Sequence, residues 1–218
     1  MLTFTPGSTL LFQGDSITDT GRDKTADGGD DVANRGKSLG SGYAMMTAAA
    51  LNADHPEWSL DIRNCGISGN RITDLAARIQ EHGWNLNPAV ISILIGVNDT
   101  WHGFMRRAGV DQERFARTYR QILADTRARL PGVRIVLCEP FVLPCGVVQD
   151  GWRADVDLRR ATVRALAGEF GAIFVPFQEV FDAALAKAPA AFWAADGVHP
   201  TPAGHLLMSR AWLRAVLG

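Results

Sequence analysis

"LLFQGDSITD", residues 10–19, sets an apolar run and one glutamine against Gly14-Asp15-Ser16. An apolar run closed by glycine reads as a buried strand over residues 9–13. A serine delivered at the end of that strand stands where open parallel sheets bind their ligands, beyond the carboxyl ends of the strands. Serine is a weak nucleophile until a neighbouring base takes its proton. The other strand ends and the far end of the chain are therefore the places to look for a base.

Runs of the same kind recur at 61–65, 90–95, 133–138 and 173–175, bounded by Gly, Pro, Asn or Asp. Several are apolar throughout, as strands are when both faces of a parallel sheet are covered. Helical periodicity fills the intervals. In residues 110–130, Phe115, Tyr119, Ile122, Leu123 and Leu130 share one face, with Asp111 as N-cap and Pro131-Gly132 as the stop. Residues 153–170 turn Val156, Val163, Leu166, Ala167 and Phe170 inward, with Gly171 past the end. A last helix opens at Thr201-Pro202. This alternation predicts an α/β fold, a three-layer α/β/α sandwich on a mostly parallel sheet of about five strands, as one domain over residues 1–218.

Composition narrows the partners. Lys plus Arg number 22 against 23 Asp plus Glu, for a net charge of -1 with no basic cluster, which argues against nucleic acid. Cys65, Cys138 and Cys145 show no CxxC spacing, so neither a disulfide framework nor a zinc knuckle is suggested. The opening "MLTFTPGSTLLF" lacks the layout of a secretory leader, and the apolar run at 89–97 is too short to span a bilayer. A cytoplasmic protein with no membrane partner is the expectation. Residues 20–42 are polar, glycine-rich and aperiodic, a loop that either covers surface or faces substrate.

The second strand runs into "NCGISGN", residues 64–70, where Gly66 and Gly69 can present backbone N–H groups without side-chain obstruction. The third ends in "GVNDT", residues 96–100, delivering Asn98 and Asp99. A base is offered by "ADGVHPTPAGH", residues 195–205. Asp196 and His199 lie three residues apart before a proline-started helix, and such a bend lets the carboxylate hold one imidazole nitrogen while the other faces Ser16.

Together "GDSITD", "GISGN", "GVND" and "DGVHP" resemble, in order, the four sequence blocks of the SGNH or GDSL-type esterase and lipase superfamily, and the likeness runs along essentially the whole chain. Ile17 stands where that family usually has leucine. The resemblance implies an SGNH hydrolase fold of flavodoxin-like type, with Ser16 as nucleophile, His199 as general base and Asp196 as the residue that orients it. It also implies an oxyanion hole made of the Ser16 and Gly69 backbone N–H groups and the Asn98 side-chain amide. Such a mechanism needs no cofactor and no metal. The fuller pattern is most similar to small bacterial intracellular acetylxylan esterases, which implies deacetylation of xylo-oligosaccharides, an acetylated carbohydrate as partner, and self-association into a homo-oligomer. Other readings stay open: an esterase of different range, such as a lysophospholipase or thioesterase; a metal-dependent phosphoesterase using Asp15, Asp19, Asn98 and His199; or a non-catalytic carbohydrate binder.

Around this set, Asp15, Asp19 and Asp99 read as acceptors that organise loops. Asp15 is also placed on the substrate side, with Arg22, Trp101 and Trp193; Arg22 suits a hydroxylated ligand and the indoles offer flat faces to a sugar ring. His55, His82 and His205 read as structural, while His102 falls near the rim.

Overall fold

The computed structural model describes residues 2–26 and 35–218. The chain runs through β1 (Thr9–Gly14), α1 (Ser16–Asp19), α2 (Arg35–Ser38), α3 (Tyr43–Asp54), β2 (Asp61–Asn64), α4 (Ile72–His82), β3 (Val90–Leu94) and α5 (Val97–Arg106). It continues through α6 (Gln112–Arg129), β4 (Arg134–Cys138), α7 (Trp152–Glu169), β5 (Ile173–Val175), α8 (Phe177–Ala184), α9 (Ala190–Trp193) and α10 (Pro202–Leu217). All five strands are parallel, in the order β2-β1-β3-β4-β5. The chain changes winding direction between β1 and β3, so a crevice opens at their carboxyl ends.

Strand side chains alternate between two cores. Leu10, Phe12, Val90, Leu94, Val136 and Cys138 join Tyr43 of α3, Phe177 of α8 and Trp212 of α10. Leu11, Ile91, Ile93, Ile135 and Leu137 join Leu75 of α4, Phe115 and Tyr119 of α6, and Val163 and Leu166 of α7. Helices on both faces are why the central strands read as largely apolar runs, while β2 at the edge keeps Asp61 and Arg63 only half-buried. Ser92 is a buried polar residue in the middle of β3, and its hydroxyl accepts the Trp212 indole N–H at 2.9 Å. That bond lets the large indole be buried without an orphaned donor.

The helix signals fall where the sequence put them. Asp111 caps α6 by accepting the Arg114 N–H at 2.9 Å, and Thr201 caps α10 by accepting the Gly204 N–H at 3.3 Å. Leu130 and Phe170 are half-buried rather than central, because each lies just past the end of its helix. Of the long polar stretch 20–42, residues 27–34 lie outside the described residues; a short 3-10 turn at Lys24–Ala26 and α2 stand on either side. No helix among the described residues is long and apolar enough to cross a membrane.

Gly14 makes the corner between β1 and α1 possible. A Cβ there would lie 2.6 Å from the Leu94 carbonyl oxygen of β3 and inside contact distance of the Thr18 hydroxyl. Adding the methyl group forces one of these neighbours to move. Gly14→Ala is expected to destabilise the fold by about 1–3 kcal/mol. It should lower the urea midpoint at unchanged m-value; a midpoint equal to that of the unmodified protein would show that this corner has room to spare.

Candidate active site

Ser16 is the first residue of α1, two residues beyond the end of β1. The turn is held by Asp15, whose Oδ1 accepts the Ile17 N–H at 3.0 Å. The Ser16 side chain therefore stands at the carboxyl end of β1. Its partner arrives from the other end of the chain: Ser16 Oγ lies 2.8 Å from His199 Nε2, across 183 positions.

His199 is oriented from within its own segment. Asp196 Oδ2 lies 2.6 Å from His199 Nδ1, while Asp196 Oδ1 accepts the backbone N–H groups of Val198 at 2.9 Å and His199 at 2.7 Å. An antiparallel bridge between Ala194 and Pro200 closes the base of this bend. The loop after β4 braces it, with Leu143 N–H donating to Gly197 O at 2.8 Å and Val147 N–H to Asp196 O at 3.0 Å. Burial raises the Asp196 carboxyl, but hydrogen bonds from the His199 ring and from the His199 and Val198 N–H groups outweigh it and hold the group below its ordinary value. Asp196 is thus a carboxylate at neutral pH, able to stabilise an imidazolium at its side. The His199 side chain keeps 43% of its surface exposed, so the pair is open to a ligand.

Gly69 follows β2 in a turn with φ of +82°, a conformation that glycine adopts without strain, and a Cβ there would meet nothing within 4 Å. Its approach is open. The preceding residue anchors the turn: Ser68 donates its N–H and hydroxyl to Asp19 Oδ2 at 3.0 and 2.9 Å, and Lys24 Nζ lies 3.1 Å from the same oxygen. These partners outweigh burial and hold the Asp19 carboxyl low. Asn98, the second residue of α5, donates one amide hydrogen to Asn70 O at 3.2 Å, leaving the other hydrogen of that amide for a ligand. Neither the Ser16 nor the Gly69 backbone N–H has an acceptor among the described residues. The three groups belong to the segments that follow β1, β2 and β3.

The residues placed on the substrate side separate into two groups. Trp101 lies beside the histidine, its ring centroid 5.6 Å from that of His199. Asp15 is fully buried, Arg22 is buried and donates its Nε–H to Gly66 O at 3.0 Å, and Trp193 gives its indole N–H to the Ala184 and Ala188 carbonyls. These three are held inside the protein, and burial leaves Asp15 no surface with which to touch a substrate. Asp99 holds the start of α4, accepting the Ile72 N–H at 3.1 Å.

His205 accepts the Tyr43 N–H at 3.2 Å through Nδ1, and burial together with the nearby His199 lowers it to about 4, so it stays neutral. His55 stacks on Trp58 with ring centroids 3.8 Å apart. His82 ends α4, where its carbonyl accepts the Gln13 amide. Burial, with Arg106 and Arg71, lowers His102 on α5. Among the described residues no group of three or more His, Cys, Asp or Glu side chains converges as metal ligands would, so the alternative metal set is not assembled.

Sequence reasoning missed Asn64. Its amide nitrogen donates to Thr18 O at 2.6 Å and Leu39 O at 2.9 Å, and its oxygen accepts the Gly66 N–H at 2.9 Å. It ties the serine-bearing turn to the glycine turn. The available signal was a polar amide at the last position of a strand, immediately before the glycine block.

A parallel α/β sheet with a Ser–His–Asp constellation at its carboxyl edge is an architecture of ester-cleaving hydrolases. The GDSL-like Lipase/Acylhydrolase family matches residues 12–207, and the chain belongs to that family, as a GDSL-type esterase. It is 36% identical over 214 residues to an acetylxylan esterase of Geobacillus stearothermophilus, covering 96% of this chain and 94% of that protein. A crystal structure of a putative GDSL-like lipase from Parabacteroides merdae superposes with a TM-score of 0.91 at 39% identity, covering 98% of this chain and 97% of the other. A variant of the Geobacillus acetyl-xylooligosaccharide esterase superposes with a TM-score of 0.88 at 35% identity, covering 99% and 96% of the two chains.

Asp15 gives the site a pH signature. Burial raises its carboxyl from 3.8 to about 7 against the pull of the Ile17 N–H, His199 and Arg78, and its Oδ2 has no hydrogen-bond partner among the described residues. The native state keeps this proton up to about pH 7, whereas the unfolded chain releases it near 3.8. The stabilising contribution is therefore complete below the unfolded value and is lost as pH rises through the folded one. Asp15→Asn keeps the acceptor for Ile17 and cannot ionise. Relative to the unmodified protein it should gain stability with rising pH, by up to about 1.4 kcal/mol per unit between the two values. Urea titrations at pH about 5 and about 8 check this; a difference that does not change with pH would contradict a proton held by Asp15.

Proposed function

We propose that the protein is a serine carboxylic-ester hydrolase that removes O-acetyl groups from carbohydrates, with acetylated xylo-oligosaccharides as its substrates. One observation carries the chemistry: Ser16 Oγ, His199 Nε2 and His199 Nδ1, Asp196 Oδ2 form a continuous chain of contacts at 2.8 and 2.6 Å. In this reading His199 takes the Ser16 proton as the oxygen attacks the acetyl carbonyl, and Asp196 stabilises the resulting imidazolium. The tetrahedral oxyanion is held by the Ser16 and Gly69 N–H groups and the Asn98 amide. Collapse of the intermediate expels the sugar hydroxyl, which takes the proton from His199, and leaves an acetyl ester on Ser16. A water molecule, deprotonated by the same histidine, then releases acetate and regenerates the serine.

The substrate class rests on two supports of different kind. The relatives include an acetylxylan esterase and an acetyl-xylooligosaccharide esterase over nearly the whole chain. Trp101 adds a half-exposed indole beside His199, suited to the apolar face of a sugar ring. No step requires a cofactor.

Acetate release from acetylated xylo-oligosaccharides, measured beside p-nitrophenyl acetate and a long-chain ester, tests both parts. Turnover should be lost in Ser16→Ala, persist in a chelator, and favour the acetylated sugar. Release by the alanine variant at an undiminished rate would end the serine mechanism, and a preference for the long-chain ester would end the carbohydrate assignment. Asn98→Ala is expected to lower kcat about 100- to 1,000-fold with a folded protein, the usual effect of deleting one oxyanion donor. A kcat within a few fold of the unmodified enzyme would remove Asn98 from the hole.

A further inference from the structure

Arg78 lies on α4, outside the four blocks that carry the chemistry, yet its guanidinium reaches the carboxyl ends of both β1 and β2. Nη2 donates to Gly14 O at 3.0 Å. Nη1 donates to Cys65 O at 2.9 Å and to Gln13 Oε1 at 2.7 Å, and Nε donates to Asn70 Oδ1 at 2.6 Å. The acceptors fall on two segments. Gln13 and Gly14 lead directly into Ser16, while Cys65 and Asn70 bracket Gly69. Asn70 is also the residue whose carbonyl accepts the Asn98 amide. One side chain is thus bonded to both backbone segments that present the oxyanion N–H groups, and through Asn70 it is linked to the third donor.

The chemistry of the partners explains why arginine occupies this position. All four acceptors are neutral and lie in different directions. A planar guanidinium with five N–H groups in a fixed fork can serve them together, whereas a lysine ammonium offers three donors from a single point. Burial lowers Arg78 only to about 10, so it remains a cation at neutral pH. Charge-assisted bonds from a rigid fork hold backbone more firmly than neutral ones. The same side chain is tied from behind, because Gln13, fully buried, accepts from Arg78 and donates to His82 O at the end of α4.

We propose that Arg78 is a positioning residue for the oxyanion hole: its guanidinium fixes the 13–16 and 65–70 segments against each other and so sets the spacing of the Ser16 N–H, the Gly69 N–H and the Asn98 amide. Its effect on rate rests on the esterase reading above. The donors act most strongly on charge that develops in the transition state, so loosening them lowers kcat with little change in KM. A displacement of about 1 Å in such a group can cost on the order of 100-fold.

Arg78→Ala and Arg78→Lys test this beside the unmodified protein and Ser16→Ala. The readouts are steady-state hydrolysis of p-nitrophenyl acetate, thermal midpoint, and hydrogen–deuterium exchange of peptides covering 64–71. Arg78→Ala should lose about 100-fold in kcat with KM nearly unchanged. Guanidinium ion, at millimolar concentrations well below denaturing ones, should restore part of that loss by entering the vacated space. Arg78→Lys keeps the charge and guards against a variant that fails to fold; it should also lose kcat, because it cannot reach all four acceptors. In both variants exchange in 64–71 should rise about tenfold, while peptides from α6 and α7 stay protected. Exchange in 64–71 equal to that of the unmodified protein would overturn the proposal, as would full kcat in a folded Arg78→Ala. If the unmodified protein shows no Ser16-dependent turnover, the esterase reading fails separately, and the exchange measurement alone decides the role of Arg78.

Discussion

The contact between Ser16 Oγ and His199 Nε2 joins residues 183 positions apart, and the architecture between them serves to hold it at 2.8 Å. One partner is fixed by β1, the other by a bend just before α10. Neither segment could hold that separation alone. The sheet supplies the rigidity on one side, since β1 pairs with β2 and β3 and is covered on both faces. On the other side α10 packs on α3 and α8, and Trp212 reaches through the first core to Ser92 of β3. The bond across the crevice is therefore as firm as the packing between α10 and the sheet, where interior side chains interdigitate with little freedom to drift.

The polar groups around the crevice follow a division of labour set by burial. Asp196 is half-exposed and well supplied with donors, so it stays charged and can support a cation at His199. Asp15, one residue from the nucleophile, is fully buried with a single donor, and burial pushes it up to about 7. Two aspartates within the same site thus differ in protonation because their surroundings differ, not their chemistry. A neutral Asp15 near neutral pH also lessens repulsion of an anion developing beside Ser16. His205 shows the same rule in reverse: burial lowers it to about 4, which makes it a weak base on α10.

Much of this was legible because the relevant signals are local. The central strands could be placed because their faces are buried on both sides, which produces largely apolar runs in the sequence. Asp111 and Thr201 were readable as caps because a cap needs only a side-chain oxygen and an N–H three residues on. The pairing of Asp196 with His199 could be read because a three-residue spacing in a bend already brings the two side chains together. Arg22 and Trp193 were harder, since each is a polar or amphipathic side chain close to a block, and nothing in the local pattern says whether it faces inward. Arg22 gives its Nε–H and Trp193 its indole N–H to carbonyls inside the protein.

The sequence by itself determined the layered α/β architecture, the order of the strand-end blocks and the nature of the reactive groups, because these follow from periodicity, short motifs and residue chemistry. Only the tertiary structure decided which side chains share the crevice and which are sealed beneath it. The work of Asn64 and Arg78 was likewise decided there. Asn64 joins positions 18, 39 and 66, and Arg78 joins positions 13, 14, 65 and 70. Those partners are backbone carbonyls and side-chain amide oxygens, which accept, and one backbone N–H, which donates, drawn from different elements. A backbone carbonyl carries no residue-specific mark in a sequence, so the partners of these side chains become visible only when the strands are laid side by side.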